Sequence, residues 1–192
     1  MSVFSEQDGV LFVRQRHETV RIQAWGRDSV RVRAWEYREP VLDEGALTTP
    51  PGGEAPEVTI LDPDAEARLV NGRITVVARV PEVDAGTKAV ALIRFLDTET
   101  GEELLAESRE HFWWLGAHVY VGNIAGSSEI HQQFAAYDGE RIYGMGQRTH
   151  GYLDHKGLSL DLVQRNAEVS IPFAVSSRGY GFLWNNPAIG KV

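Results

Sequence analysis

The sequence predicts an all-β protein built as an antiparallel β-sandwich, and three observations carry that reading. Short apolar runs alternate with polar residues at a period of two. Turn signals rich in glycine, asparagine and aspartate separate these runs. No window holds an apolar stripe three helical turns long. A period of two describes half-buried strands, and many short strands with frequent turns describe a sandwich.

The elements follow in order. Val10 to Val13 reads as a first strand. Val20, Ile22 and Ala24 alternate with Arg21 and Gln23, and Val30, Val32 and Ala34 alternate with Arg31 and Arg33. Gly26-Arg27-Asp28-Ser29 turns between the two runs, which describes an antiparallel hairpin. Residues 38–57 are punctuated by proline and glycine within an acidic stretch, and read as a long surface loop or as a linker. Ala67 to Val70 and Arg73 to Val80 flank Asn71-Gly72, a pair suited to a type I′ turn because both residues tolerate positive φ. Ala89 to Leu96 is an apolar strand that leads through 97–101 into Leu104 to Ala106. Around Phe112-Trp113-Trp114 no period is visible, Gly116, Gly122 and Gly126 follow, and irregular structure is expected. Strands resume at Glu129 to Ala136, turn at Asp138-Gly139 and continue from Arg141 to Met145. Phe173 to Ser176 and Gly181 to Trp184 form a final pair turning at Ser177-Arg178-Gly179.

Size and composition bound the rest. A chain of 192 residues holds one large all-β domain or two small ones, and is read as a single domain over 1–192. Net charge is −8, with no basic stripe of the kind that displaces counterions, so no nucleic-acid partner is expected. There is no cysteine, which excludes disulfides and thiolate metal sites. The first residues lack the basic and apolar regions of a signal peptide, and no run reaches the ~18 apolar residues of a membrane span. A cytoplasmic protein without a membrane partner is expected, with no cofactor.

Candidate chemistry gathers near the end of the chain. Gly144, Gly146, Gly151 and Gly157 are interleaved with Gln147, Arg148, His150, Asp154, His155 and Lys156, and Asp161, Gln164, Arg165, Asn166 and Glu168 follow. Carboxylates, amides and guanidinium groups on a loop over a rigid sheet suit sugar recognition; they equally suit a loop that satisfies its own backbone. His150, Asp154 and His155 fit no strong metal template, so no metal is expected. Gly144-Met145-Gly146 lacks the third glycine of a dinucleotide loop. Trp25, Trp35 and Trp184 sit at strand ends, as core, as interdomain packing or as a sugar platform. Glycoside hydrolysis needs two carboxylates across one bond, and among 27 acidic residues no pair stands out.

Several ordered segments carry a resemblance. Tyr143-Gly144-x-Gly146-Gln147 resembles the Y-G-L-G-[EQ] segment of family 31 α-glycoside hydrolases, with Met145 for the usual leucine. Leu153 to Gly157 resembles L-D-L-K-G, with His155 as the departure. Ile171-Pro172-Phe173 through Asn186-Pro187 resembles the family's P-F-x-x-S-x-x-G-Y-G-x-x-x-[DN]-[NH]-P strand pair. The resemblance is tight over about the last fifty residues and loose before them.

It implies an N-terminal β-sandwich of the galactose-mutarotase-like type, accessory to a (β/α)8 barrel that carries an aspartate nucleophile and an aspartate acid/base. Such a barrel takes about 250 residues, so no catalytic residue is assigned here. The implied partners are that C-terminal barrel and an α-linked glucosyl or xylosyl saccharide. The family's N-R-D pattern, on a loop that leans over the barrel mouth at 147–168, is matched by Gln164-Arg165-Asn166. Asn166 and Arg165 are therefore the candidate substrate-binding residues, in the leaving-group subsite. Two other readings stand beside this one: a free-standing carbohydrate-binding module, and an aldose epimerase using a histidine acid and a glutamate base. A domain separated from its barrel is also expected to show an apolar patch, with Phe182 and Trp184 as candidates.

Overall fold

The computed structural model describes residues 2–39, 47, 52–82, 89–109, 117–122 and 128–192, and every regular element among them is a strand. The chain divides into two compact units. The first takes Met1–Val41 and Thr49–Ala135, the second Leu42–Thr48 and Ala136–Val192.

In the first unit, β1 (Phe4–Gln7), β2 (Val10–Gln15), β3 (Glu18–Ala24) and β4 (Val30–Glu36) form an antiparallel sheet in chain order. A second sheet runs β5 (Glu57–Asp62), β6 (Glu66–Asn71), β7 (Ile74–Arg79), β8 (Leu92–Asp97) and β9 (Glu103–Ala106). The strands β10 (His118–Gly122) and β11 (Ser128–Gln132) make a separate hairpin. Period two decides which side chains enter the core. Leu11 pairs with Ile22 and Ile22 with Val32, while Val13 pairs with Val20 and Val20 with Ala34. Phe4, Leu11, Val13, Val20 and Ile22 of the first sheet pack in one cluster with Ala67, Leu69, Val76, Ala78 and Ile93 of the second. Full burial of a leucine or isoleucine contributes roughly 1.5–3 kcal/mol, so this shared core holds the sandwich together.

The outer face of the first sheet sets Arg21 opposite Arg33. Like charges directly opposite are destabilising. Glu39 relieves this pair, lying 3.3 Å from Arg21 and 2.7 Å from Arg33. Arg31 stacks over the Trp25 ring at 4.6 Å. Trp25, Trp35 and Trp184 are all half-buried, and none belongs to the core cluster.

The β6–β7 turn sits one residue later than the Asn71-Gly72 expectation. Asn71 pairs with Ile74, so Gly72-Arg73 are the central residues, and only Gly72 has positive φ, at +58°. A type I′ turn requires positive φ at both. Asn71 stays in the strand, buried, because its side-chain amide donates to the carbonyls of Gly26 and Ser29, both at 2.7 Å. Asp28 completes the dock by accepting from Arg73 N at 2.8 Å.

The second unit holds β12 (Ile142–Gln147), β13 (Asp161–Leu162), β14 (Val169–Ser176), β15 (Gly181–Leu183) and β16 (Gly190–Lys191). Strands β12, β14 and β15 form one sheet, with β14 central, and β13 pairs with β16. Strand β14 begins four residues before the expected Phe173 and runs through Pro172. Proline donates nothing to a ladder and is confined to edges and bulges. Here it occupies a bulge: Gly144 pairs with Ala174 but Gly146 with Ser170, leaving 171–173 unpaired on the β12 side. On the other side the Pro172 carbonyl accepts from Trp184 N at 2.8 Å.

Two expectations fall on residues outside those described. These are Phe112-Trp113-Trp114 and most of the proline- and glycine-rich stretch at 38–57; beyond the tryptophans, where irregular structure is expected, His118–Gly122 is instead a strand, β10, paired with β11.

Candidate functional site

The bulge explains why Tyr143-Gly144-Met145-Gly146-Gln147 reads as it does. Gly144, Met145 and Gly146 all have positive φ, at +93°, +61° and +85°. A Cβ on Gly144 would stand 2.5 Å from the Phe173 carbonyl oxygen, and one on Gly146 would collide with the Val169 carbonyl. Only glycine fits either position. Two carbonyls of the run each accept from a side-chain donor. His155 Nε2 donates to Gly144 O at 3.1 Å, and Arg148 Nε donates to Met145 O at 3.0 Å. A carbonyl only accepts, so His155 carries its proton on Nε2. Among the described residues its buried Nδ1 has no partner.

The candidate turn lies beyond this bulge. Arg165 and Glu168 bridge, with Asn166 and Ala167 between them. Ala167 has φ +67°, a conformation that costs an L-residue about 1–2 kcal/mol. Several contacts hold it. Gln164 Nε2 donates to Glu168 O at 2.6 Å while its Oε1 accepts from Ser170 N at 3.1 Å. Thr149 gives Glu168 Oε1 two hydrogen bonds, from Oγ1 at 2.8 Å and from its amide at 3.3 Å. These hydrogen bonds lower the Glu168 carboxyl below its ordinary value. Arg165 and Asn166 thus share one exposed turn, with Arg165 Nη2 on Asp161 Oδ2 at 2.5 Å.

Other polar residues of the loop serve the backbone. Asp154 Oδ1 accepts from the amides of Lys156 at 3.0 Å and Ile142 at 3.1 Å, which lowers its carboxyl. Lys156 Nζ donates to Glu140 Oε2 and Tyr137 O, each at 3.1 Å. Glu140 is buried, and sequence reading passed it over. It also accepts from Ser176 Oγ at 2.6 Å and Tyr180 OH at 2.8 Å. Burial alone would raise its carboxyl, and the Ser176, Tyr180 and Lys156 bonds outweigh burial and lower it. These partners lie 16 to 40 residues away, so no local motif announces them.

A histidine–glutamate pair, the requirement of the epimerase reading, exists in the first unit. His118 Nδ1 meets Glu18 Oε1 at 2.7 Å and its Nε2 meets Glu107 Oε1 at 2.8 Å. Tyr120 OH adds a bond to Glu18 at 2.8 Å, and Gln132 Nε2 one to Glu107 at 3.2 Å. Burial alone would lower the imidazole, but the two carboxylates override it and raise His118 to about 10. Both ring nitrogens are therefore donors committed to carboxylates. The cavity beside them is about 10 Å³, no larger than one water. Among the described residues the cluster is a buried clamp, and the cavity beside it has no room for a sugar ring.

The expected apolar patch occurs, one strand earlier than Phe182 and Trp184. Those two rings stack on each other, half-buried, with centroids 6.4 Å apart. The exposed residues are Val169 (43%), Ile171 (51%), Phe173 (42%) and Val175 (42%), alternate positions along β14.

An antiparallel sandwich joined in sequence to a glycine-bulged sheet, with no helix among the described residues, defines a galactose-mutarotase-like domain. Residues 19–192 match the family described as the glycosyl hydrolase 31 N-terminal galactose mutarotase-like domain, and the chain belongs to that family. It is 34% identical to the family 31 glucosidase ORF2 of Pseudescherichia vulneris, over all of this chain and 37% of that protein. It is 28% identical to α-xylosidase A of Aspergillus niger, over 98% of this chain and 27% of that one. A solved family 31 α-xylosidase from a soil metagenome, complexed with xylose, superposes with a TM-score of 0.82 at 31% identity, over 98% of this chain and 28% of that one. The chain therefore spans well under half the length of these relatives.

Proposed function

We propose that this chain is the accessory front domain of a retaining α-glycosidase acting on α-xylosides or α-glucosides, and is inactive alone. The observation that carries the proposal is the match to the family's N-terminal domain within relatives of which this chain covers only 27% and 28%. In this reading the remainder, a C-terminal barrel, supplies the two carboxylates that glycoside hydrolysis needs. The outward apolar face of β14 is the seat for that remainder, since an exposed row of four large apolar residues is typical of an interface. The turn bearing Arg165 and Asn166 forms one wall of the leaving-group subsite. Asn166 offers an amide that donates and accepts without charge.

The proposal treats 1–192 as one domain, supported by a single family match that crosses both units. It includes a cytoplasmic setting, supported by a chain that uses no cysteine. Fractionation against compartment markers tests the setting.

The direct test is an assay of the purified chain on aryl α-xylosides and α-glucosides. No turnover is expected, and hydrolysis at enzymatic rates would overturn the proposal. Titration with xylose, glucose, maltose and isomaltose separates the alternative: micromolar affinity of the chain alone favours a free-standing binding module.

A further inference from the structure

We propose that Arg148 is the positioning residue of the turn that carries Arg165 and Asn166. The inference rests on the proposal that this turn faces sugar. Three guanidinium nitrogens reach three separate segments. Nε holds Met145 O in the bulge at 3.0 Å, Nη1 holds Asp161 O in β13 at 2.8 Å, and Nη2 holds Ser170 Oγ in β14 at 3.2 Å. Asp161 and Ser170 bound the loop that contains the turn. Each passes the constraint inward. The Asp161 carboxylate holds Arg165, and Ser170 N holds the Gln164 amide that clips the Glu168 carbonyl. The guanidinium thus fixes both limbs of the loop against a backbone run that glycine alone permits. The strained Ala167 conformation persists only while its surroundings hold it, and this fork holds the base of the loop. A planar fork with fixed donor directions suits three acceptors in three directions; an ammonium on a flexible stem does not.

The experiment is backbone ¹⁵N relaxation on the whole chain and on Arg148→Ala and Arg148→Lys. Sugar-induced shifts at the Asn166 side-chain amide are followed in the same samples with millimolar xylose and glucose. In the unaltered chain, order parameters at 164–168 are expected near the rigid value of about 0.85. In Arg148→Ala they are expected to fall below about 0.6. Arg148→Lys is expected to restore neither the order nor the Asn166 shift, while residues of β3 and β7 stay as ordered as before. A turn equally ordered in Arg148→Ala overturns the inference. So does full rescue by lysine. Should Arg148→Ala fail to fold, Ser170→Ala removes a single guanidinium partner and is expected to loosen the 168–170 limb; an unchanged limb again overturns the inference. If the turn loosens while Asn166 of the unaltered chain responds to no sugar, the subsite reading falls and the role of the guanidinium stands.

Discussion

The two units of this chain solve the same packing problem differently. In the first, two antiparallel sheets turn their apolar faces toward each other, and Leu11, Ile22, Ala67, Leu69, Val76 and Ala78 are wholly buried. In the second, the central strand β14 turns Val169, Ile171, Phe173 and Val175 outward, and keeps Ser170, Pro172, Ala174 and Ser176 on its other face. Order there comes from polar clamps: Glu140 on Ser176, Tyr180 and Lys156, Arg148 on three segments, and His155 on the bulge. A unit held by hydrogen bonds keeps its shape while one of its apolar faces stays exposed. The first unit buries its apolar residues between two sheets, and the second leaves an apolar row on β14 exposed.

That contrast can be broken at graded cost. Leu69→Ala or Ile22→Ala, which opens a cavity in the shared core, is expected to destabilise by about 2–5 kcal/mol in urea titration. Glu140→Ala removes the carboxylate that Ser176, Tyr180 and Lys156 share as acceptor. It is expected to cost about 1–3 kcal/mol, with hydrogen-exchange protection lost in β12 and β14 and retained in β3 and β7.

The His118 clamp sets a pH dependence. Its imidazole is raised from about 6.5 when unfolded to about 10 when folded, so its contribution is complete below about 6.5 and is lost as pH rises through about 10. Melting temperature is expected to fall across that window, and His118→Gln is expected to flatten the fall. A fall of the same size in the variant would remove His118 as its cause. Smallest of all, Ile171→Ser or Phe173→Ser on the open face is expected to change stability by no more than about 0.5 kcal/mol.

How much was legible follows from the range of the interactions. Period-two patterning places β2 to β4 and β6 to β9, whose strands pair with their sequence neighbours, and it misses β1, β5 and β10, which are short or lack a clean alternation. The β6–β7 turn slipped by one residue because Asn71 serves a distant loop through its side chain, a use that local turn chemistry does not encode. Strand β14 was cut short at Pro172 because the bulge that tolerates proline is set by the partner strand. Arg165 and Asn166 are singled out by a family pattern alone, and the structure sets them on one exposed turn. Their supports, Arg148, Glu168 and Gln164, depend on contacts 4 to 22 residues apart that have no motif of their own.

The claim that β14 presents an open apolar face is tested most directly by a hydrophobic fluorescent dye, with thermal melting measured on the same samples. The unaltered chain should bind the dye, and the Ile171→Ser/Phe173→Ser double variant should lose most of that binding with its Tm almost unchanged. A chain that binds no dye, and whose double variant melts many degrees lower, would place this face in a closed core and contradict the account.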